Sequence, residues 1–188
     1  MPCRGPAFER GTYYHVYNRA LGGELLFRKP ANYRYCLSLA RLHADRYRVS
    51  VVAYCLMPNH YHFLLRQEGD QPLSRFICAL FNAYVQAANR QWGRRGPLFE
   101  SRFRYVRVDR DDYVWQLCRY MHLNPVKAGL APTPEEWPYS DFRAWIGLEE
   151  TSVVARGIVA EYWGGPEGYR RFVSEGWEDQ VLRTYLLE

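Results

Sequence analysis

Lysine is nearly missing from this chain of 188 residues: Lys29 and Lys127 are the only two, so arginine supplies 23 of the 25 basic side chains. Arginine's planar fork suits phosphate and stacks on bases, which tilts a net charge of +5 toward nucleic acid. A GC-rich gene would favour arginine codons as well, so before clustering is considered the two explanations stand about even. No apolar run is long enough to cross a bilayer, and the leading "MPCRGPAFERG" has no apolar signal core. The expectation is a soluble, cytoplasmic protein with no membrane partner. Cys3, Cys36, Cys55, Cys78 and Cys118 form no C-x-x-C pair and are odd in number. That excludes a zinc ribbon and predicts reduced core thiols rather than a disulfide framework. There is no G-x-x-x-x-G-K-[ST] loop, so nothing points to triphosphate chemistry.

What is present is one domain's worth of chain, rich in aromatics, with 16 tyrosines. "GTYYHVYNRA" (11–20) alternates as a strand, with His15, Tyr17 and Arg19 on one face and Tyr14 and Val16 on the other. "NYRYCLSLARLHADRY" (32–47) carries Tyr35, Leu39 and Leu42 at helical spacing. "RVSVVAYCLM" (48–57) reads as a strand, Pro58-Asn59 as a turn, and "HYHFLLRQ" (60–67) as the returning strand. A helix follows from Pro72 to Gly93, then a strand over 103–109 and a helix over 110–129. This order, β-α-β-β-α-β-α, predicts an α+β fold of the ferredoxin-like, split βαβ kind: a mostly antiparallel sheet, helices on one face, and an extra C-terminal helix. Beyond Pro132 the signal weakens. Residues 1–147 are expected to form the main unit and 148–188 a helical tail.

Within the stretch "AYCLMPNHYHFLL" (53–65), His60 and His62 point to the same side of a strand, while Tyr61 and Phe63 point to the other. Two imidazoles so placed are spaced to share a metal ion, although a pair of sheet-face histidines explains the spacing as well. In the last long helix, Tyr120 and Asn124 stand at i and i+4, one above the other. An amide oxygen is a competent ligand, and a phenol beside it would lie near whatever the ion polarises. The plainer reading is that Tyr120 packs on the sheet and Asn124-Pro125 ends the helix.

Taken together and in order, "YHVYNRA", "AYCLMPNHYHFLL", "GPLFESRFR", "YMHLNPVKAGL" and "WPYSDFRAW" resemble the REP-associated tyrosine transposases, members of the HUH single-strand nuclease superfamily. The resemblance runs from about residue 12 to 147. It implies a nuclease of ferredoxin-like fold that cuts and rejoins single-stranded DNA near imperfect palindromic hairpins, acting as a monomer. It further implies His60 and His62 as the histidine motif, Tyr120 as the nucleophile, Asn124 as the polar residue completing the metal site, and Mg²⁺ or Mn²⁺ as the ion. One departure stands out: better-studied relatives often carry glutamine where this chain has the shorter Asn124.

Arginines 90, 94, 95, 102, 104, 107 and 110 interleave with Trp92, Phe99, Phe103 and Tyr105, a mixture that can neutralise phosphates and stack on unpaired bases. Arg94, Arg95 and Arg102 lie on a connection punctuated by glycine and proline and are expected to meet the DNA backbone. Arg19 and Arg104 are expected near the phosphate at the metal. Two other functions fit the same elements: a non-catalytic RNA- or DNA-binding module of the same fold, and a metal phosphodiesterase that uses water.

Overall fold

The computed structural model describes residues 8–109, 111–150 and 153–175. Cys3, Arg110 and the last part of the expected tail, "GWEDQVLRTYLLE", lie outside the described residues. Four strands, β1 (Tyr13–Arg19), β2 (Val49–Met57), β3 (His60–Gln67) and β4 (Arg104–Val108), form one sheet in the order β2-β3-β1-β4, with every neighbouring pair antiparallel. Helices α1 (Pro30–Tyr47) and α2 (Leu73–Trp92) supply the two crossovers, and α3 (Asp111–Lys127) follows β4. Three shorter helices complete the described chain: α4 (Phe142–Trp145), α5 (Val153–Trp163) and α6 (Pro166–Ser174). The expected ferredoxin-like arrangement is therefore present.

Local chemistry explains the boundaries. Pro30 opens α1, where its missing N–H costs nothing, and the Asn32 side-chain oxygen accepts the backbone N–H groups of Arg28 and Lys29 at 3.2 and 3.0 Å. Helix α2 ends at Gly93, whose φ of 63° is left-handed and suits glycine. Met57 pairs directly with His60, so Pro58-Asn59 is the whole of the hairpin loop. One irregularity interrupts β2: the register shifts between Val51 and Ala53, leaving Val52 as a bulge that resets which residues face each side.

The two sides of the sheet are covered differently. Helices α1 and α2 pack on Tyr14, Val16, Tyr61, Phe63 and Leu65, with the Tyr61 and Phe81 rings stacked at 4.1 Å. Each such large side chain, fully buried, contributes about 1.5–3 kcal/mol. Within α1 the buried stripe is Tyr33, Cys36, Leu39 and Ala40, while Tyr35 and Leu42 are exposed. The expected Tyr35–Leu39–Leu42 stripe is thus rotated, with only Leu39 shared between the two. The extra helix α3 lies across the opposite side, on Cys55, Met57 and Leu64, through Val114, Leu117, Cys118 and Met121, and α4 to α6 pack behind it. Cys36, Cys55 and Cys118 are free and buried, as expected, whereas Cys78 is disulfide-bonded, against expectation. Among the described residues no helix is long and apolar enough to cross a membrane.

Candidate active site

Strand alternation sets the site's floor. On the α3 side of the sheet, β1 offers His15, Tyr17 and Arg19, β3 offers His60 and His62, and β4 offers Arg104. The register places Tyr17 beside His62 and Arg104, and Arg19 beside His60. His60 begins β3 immediately after the turn, and its Nδ1–H donates to the Asn59 side-chain oxygen at 2.7 Å. That leaves His60 Nε2 as the nitrogen with the lone pair. It is buried and has no hydrogen-bond partner among the described residues.

His62 is held from both ends. The Asn124 amide nitrogen stands 3.2 Å from its Nε2, and His15 Nε2 stands 3.0 Å from its Nδ1. An N–H from Asn124 makes His62 Nε2 an acceptor, so His62 carries its proton on Nδ1 and donates it to His15. His15 must then be protonated on Nδ1, an atom that is buried and has no partner among the described residues. The rings of His15, Tyr17 and His62 are nearly parallel, with centroids 4.9 Å apart for His15–Tyr17 and 5.2 Å for His15–His62, which fixes their planes. Burial drives all three imidazoles toward the neutral form: His15 is pushed down to about 3, and His60 to about 4 with help from Arg19. His62 is pushed well below its ordinary value by burial first, then by His15, His60 and Arg19. Neutral imidazoles with a free lone pair are what metal binding requires.

Helix α3 delivers the remaining groups. The Tyr120 ring meets the His62 ring edge-to-face at 5.5 Å, and Asn124 is one turn further along the same helix face. The structure thus brings His60, His62, Tyr120 and Asn124 together. Other tyrosines are placed elsewhere: Tyr61 is buried on the opposite side of the sheet, and the Tyr84 hydroxyl donates to the Leu26 carbonyl. His122 turns away from Tyr120, fully buried between the Tyr169 hydroxyl (2.6 Å) and Asp141 (3.0 Å).

Beside the histidines opens a cleft of about 260 Å³, lined by Tyr17, Asn18, Arg19, His60, Tyr61, His62, Glu100, Ser101 and Arg104. Arg19 and Arg104 are exposed there, on the histidine side. Arg95 and Arg102 are exposed on the α2–β4 connection that also carries Glu100 and Ser101. Arg94 sits differently: it is largely covered and paired with Glu24 at 3.0 Å, bracing two loops against each other. Sequence reasoning placed His15 on the correct face but assigned it no part, because strand register, which sets His15 against His62, has no signal in one sequence. It missed Asn59, read only as a turn residue, and Asn18, whose amide donates to the Ser101 carbonyl at 3.1 Å and ties the cleft wall to β1.

Three comparisons bear on this geometry. A sequence profile of the family described as "Transposase IS200 like" matches residues 11–124, from the start of β1 through Asn124 and over more than half of the chain. A Haemophilus influenzae protein described as a REP-associated tyrosine transposase is 29% identical over 133 residues, which cover 64% of this chain and 70% of that protein. A solved structure of a REP-associated tyrosine transposase bound to a REP hairpin superposes with a TM-score of 0.66, covering 82% of this chain and 93% of that chain at 17% identity, and so shares the fold. The chain belongs to the IS200-like transposase family.

Proposed function

We propose that the protein is a metal-dependent endonuclease and transposase that cuts and rejoins single-stranded DNA next to imperfect palindromic hairpins, through a 5′-phosphotyrosine on Tyr120. The observation that carries this reading is the meeting of Tyr120 and Asn124 with two neutral imidazoles beside an arginine-lined cleft. A relative of the same fold is bound to a REP hairpin, which supports a hairpin as the substrate.

The donor set fits a divalent ion. His60 Nε2 is a buried lone pair without a partner among the described residues, His62 Nε2 is oriented by Asn124, and the Asn124 carboxamide presents an oxygen once turned over. Among the described residues no three His, Cys, Asp or Glu side chains converge as ligands, so His60, His62 and Asn124 would hold the ion, Mg²⁺ or Mn²⁺. When bound, such an ion supplies Lewis-acid polarisation of the scissile phosphate and offsets charge on the leaving oxygen. The remaining work falls to the chain. His15 holds His62 in one tautomer through its Nδ1–H. Arg19 and Arg104 draw the phosphodiester toward the histidines. The Tyr120 oxygen forms a bond to phosphorus, the bond to the 3′-oxygen breaks, the phenol proton is lost and the 3′-oxygen gains one. One ester replaces another, so rejoining is the same step reversed and no triphosphate is consumed.

Strand β2, an edge of the sheet, is covered by residues 137–141: Leu56 N–H donates to the Tyr139 carbonyl at 2.9 Å, and Trp137 Nε1–H to the Leu56 carbonyl at 3.1 Å. That edge of the sheet is therefore closed to pairing with another chain. The test is a denaturing gel of the protein with a labelled single-stranded hairpin and Mn²⁺. A covalent adduct is expected that disappears with a chelator and in Tyr120→Phe. Cleavage without an adduct would instead mean that water is the nucleophile, and metal-independent binding without cleavage would mean a recognition module.

A further inference from the structure

The α3 face that carries Tyr120 and Asn124 continues to Lys127, at i+7 from the tyrosine. Its Nζ stands 6.0 Å from the centroid of the Tyr120 ring, and the side chain is exposed. The only other cation among the described residues of α3, Arg119, is turned toward the tail, its guanidinium 4.7 Å from the Phe172 ring. The arginines lining the cleft, Arg19 and Arg104, both come from the sheet. Lys127 is therefore the positive charge that the nucleophile's own helix brings to Tyr120.

We propose that Lys127 is a catalytic residue, whose ammonium binds a non-bridging oxygen of the scissile phosphate as Tyr120 attacks it; this rests on the function proposed above. A phosphodiester within bonding distance of the phenol oxygen must come close to the same ring that Nζ overlies. Approaching from the sheet, its charge meets Arg19 and Arg104 on one side; on the helix side it meets Lys127. The group is held between cations from two elements, which orients it as well as stabilising it. Lysine suits the position chemically. Its ammonium is a compact charge on a flexible four-carbon stem, able to follow the phosphoryl group as it moves from the 3′-oxygen to the phenol, where a guanidinium fork would favour one fixed pose. The plainer role, a cation at a helix C-terminus interacting with the helix dipole, requires no contact with substrate. It predicts a change in stability and none in rate.

The two roles separate in one experiment on the full chain. Wild type, Lys127→Met and Lys127→Arg are compared for the single-turnover rate of Tyr120 adduct formation on a saturating labelled single-stranded hairpin with Mn²⁺, for hairpin affinity, and for thermal midpoint. Loss of a buried oxyanion donor slows catalysis about 10²- to 10³-fold, and an exposed ammonium contributes less, so Lys127→Met is expected to slow the adduct about 10- to 30-fold. Lys127→Arg is expected to lie between that variant and wild type, with the midpoint unchanged in both and affinity falling by less than the rate. A wild-type rate in Lys127→Met overturns the proposal. So does weakened affinity with an unchanged saturating rate, or a rate loss that only follows a lowered midpoint. If wild type itself forms no Tyr120-dependent adduct, the functional reading fails first and this inference with it.

Discussion

The two sides of the sheet are made from alternate residues of the same strands, and they do opposite things. Toward α1 and α2 the sequence Tyr14, Val16, Tyr61, Phe63, Leu65 builds a dry aromatic layer. One residue along, His15, Tyr17, His60 and His62 build a floor of three imidazoles and a phenol, with Arg19 and Arg104 at its open end. A strand period of two lets one hairpin serve stability and chemistry without compromise between them, provided the register never slips. The apolar side holds that register. The polar side contains buried nitrogens without partners among the described residues, His15 Nδ1 and His60 Nε2, a departure from full hydrogen bonding of the kind found at functional sites.

This division is broken most severely by changing one tyrosine on the polar side. Tyr120→Phe removes a single oxygen, and adduct formation is expected to fall on the order of 10³-fold or more while the unfolding transition stays within about 1 kcal/mol. Retained adduct in the variant, mapped by peptide sequencing, would assign the nucleophile to another residue. The converse change is Phe63→Ala, on the apolar side and fully buried. It is expected to cost about 3–5 kcal/mol in a urea titration, yet at temperatures where the variant remains folded the adduct rate should match wild type. A matching loss of rate would show that the two sides are not independent.

A smaller effect tests the link between the imidazoles. His15→Phe keeps a ring stacked on Tyr17 and His62 but removes the acceptor for His62 Nδ1–H. It also removes a buried N–H that has no partner among the described residues, which offsets the stranded His62 N–H, so stability should change little. Losing an outer partner of a ligating histidine typically costs about 10- to 100-fold in metal affinity or activity. The Mn²⁺ concentration for half-maximal adduct formation should rise by that factor, and an unchanged value would mean that the His15–His62 bond does not set the tautomer.

Much of this was legible before any coordinates. Alternation placed His60 and His62 together and Tyr61 opposite, and the i, i+4 spacing put Tyr120 above Asn124, because both depend only on local geometry. The bulge at Val52 was not legible: "VSVVAYCLM" carries no glycine or proline, and its nearly continuous apolar character hides which residue lies on which side. The pairing of His15 with His62 depends on register between strands about 40 residues apart in sequence. Arg94 was expected at the DNA backbone because its glycine- and proline-punctuated connection can reach outward; its pairing with Glu24, 70 residues away, has no local pattern to announce it.

The junction with the tail supplies the smallest expected effect. His122 is only two residues from Tyr120, yet its partners belong to later segments. The Tyr169 hydroxyl of α6 donates to its Nδ1, and its Nε2–H donates to Asp141, which also accepts the Trp145 indole N–H and the Tyr54 backbone N–H at 3.0 and 2.8 Å. Burial raises the Tyr169 phenol well above its usual range, which favours the protonated, donating form. Tyr169→Phe preserves the ring contacts with Trp145 and Trp163 at 4.7 and 4.9 Å and leaves His122 Nδ1 buried without a donor. Stranding one buried acceptor costs about 1–3 kcal/mol, visible as a lowered urea midpoint with an unchanged slope. The adduct rate of the folded variant should be that of wild type, because His122 points away from the nucleophile, whose ring meets His62 instead. A rate loss in fully folded Tyr169→Phe would mean that the tail sets the pose of α3, and the polar side of the sheet would no longer be the whole of the active site.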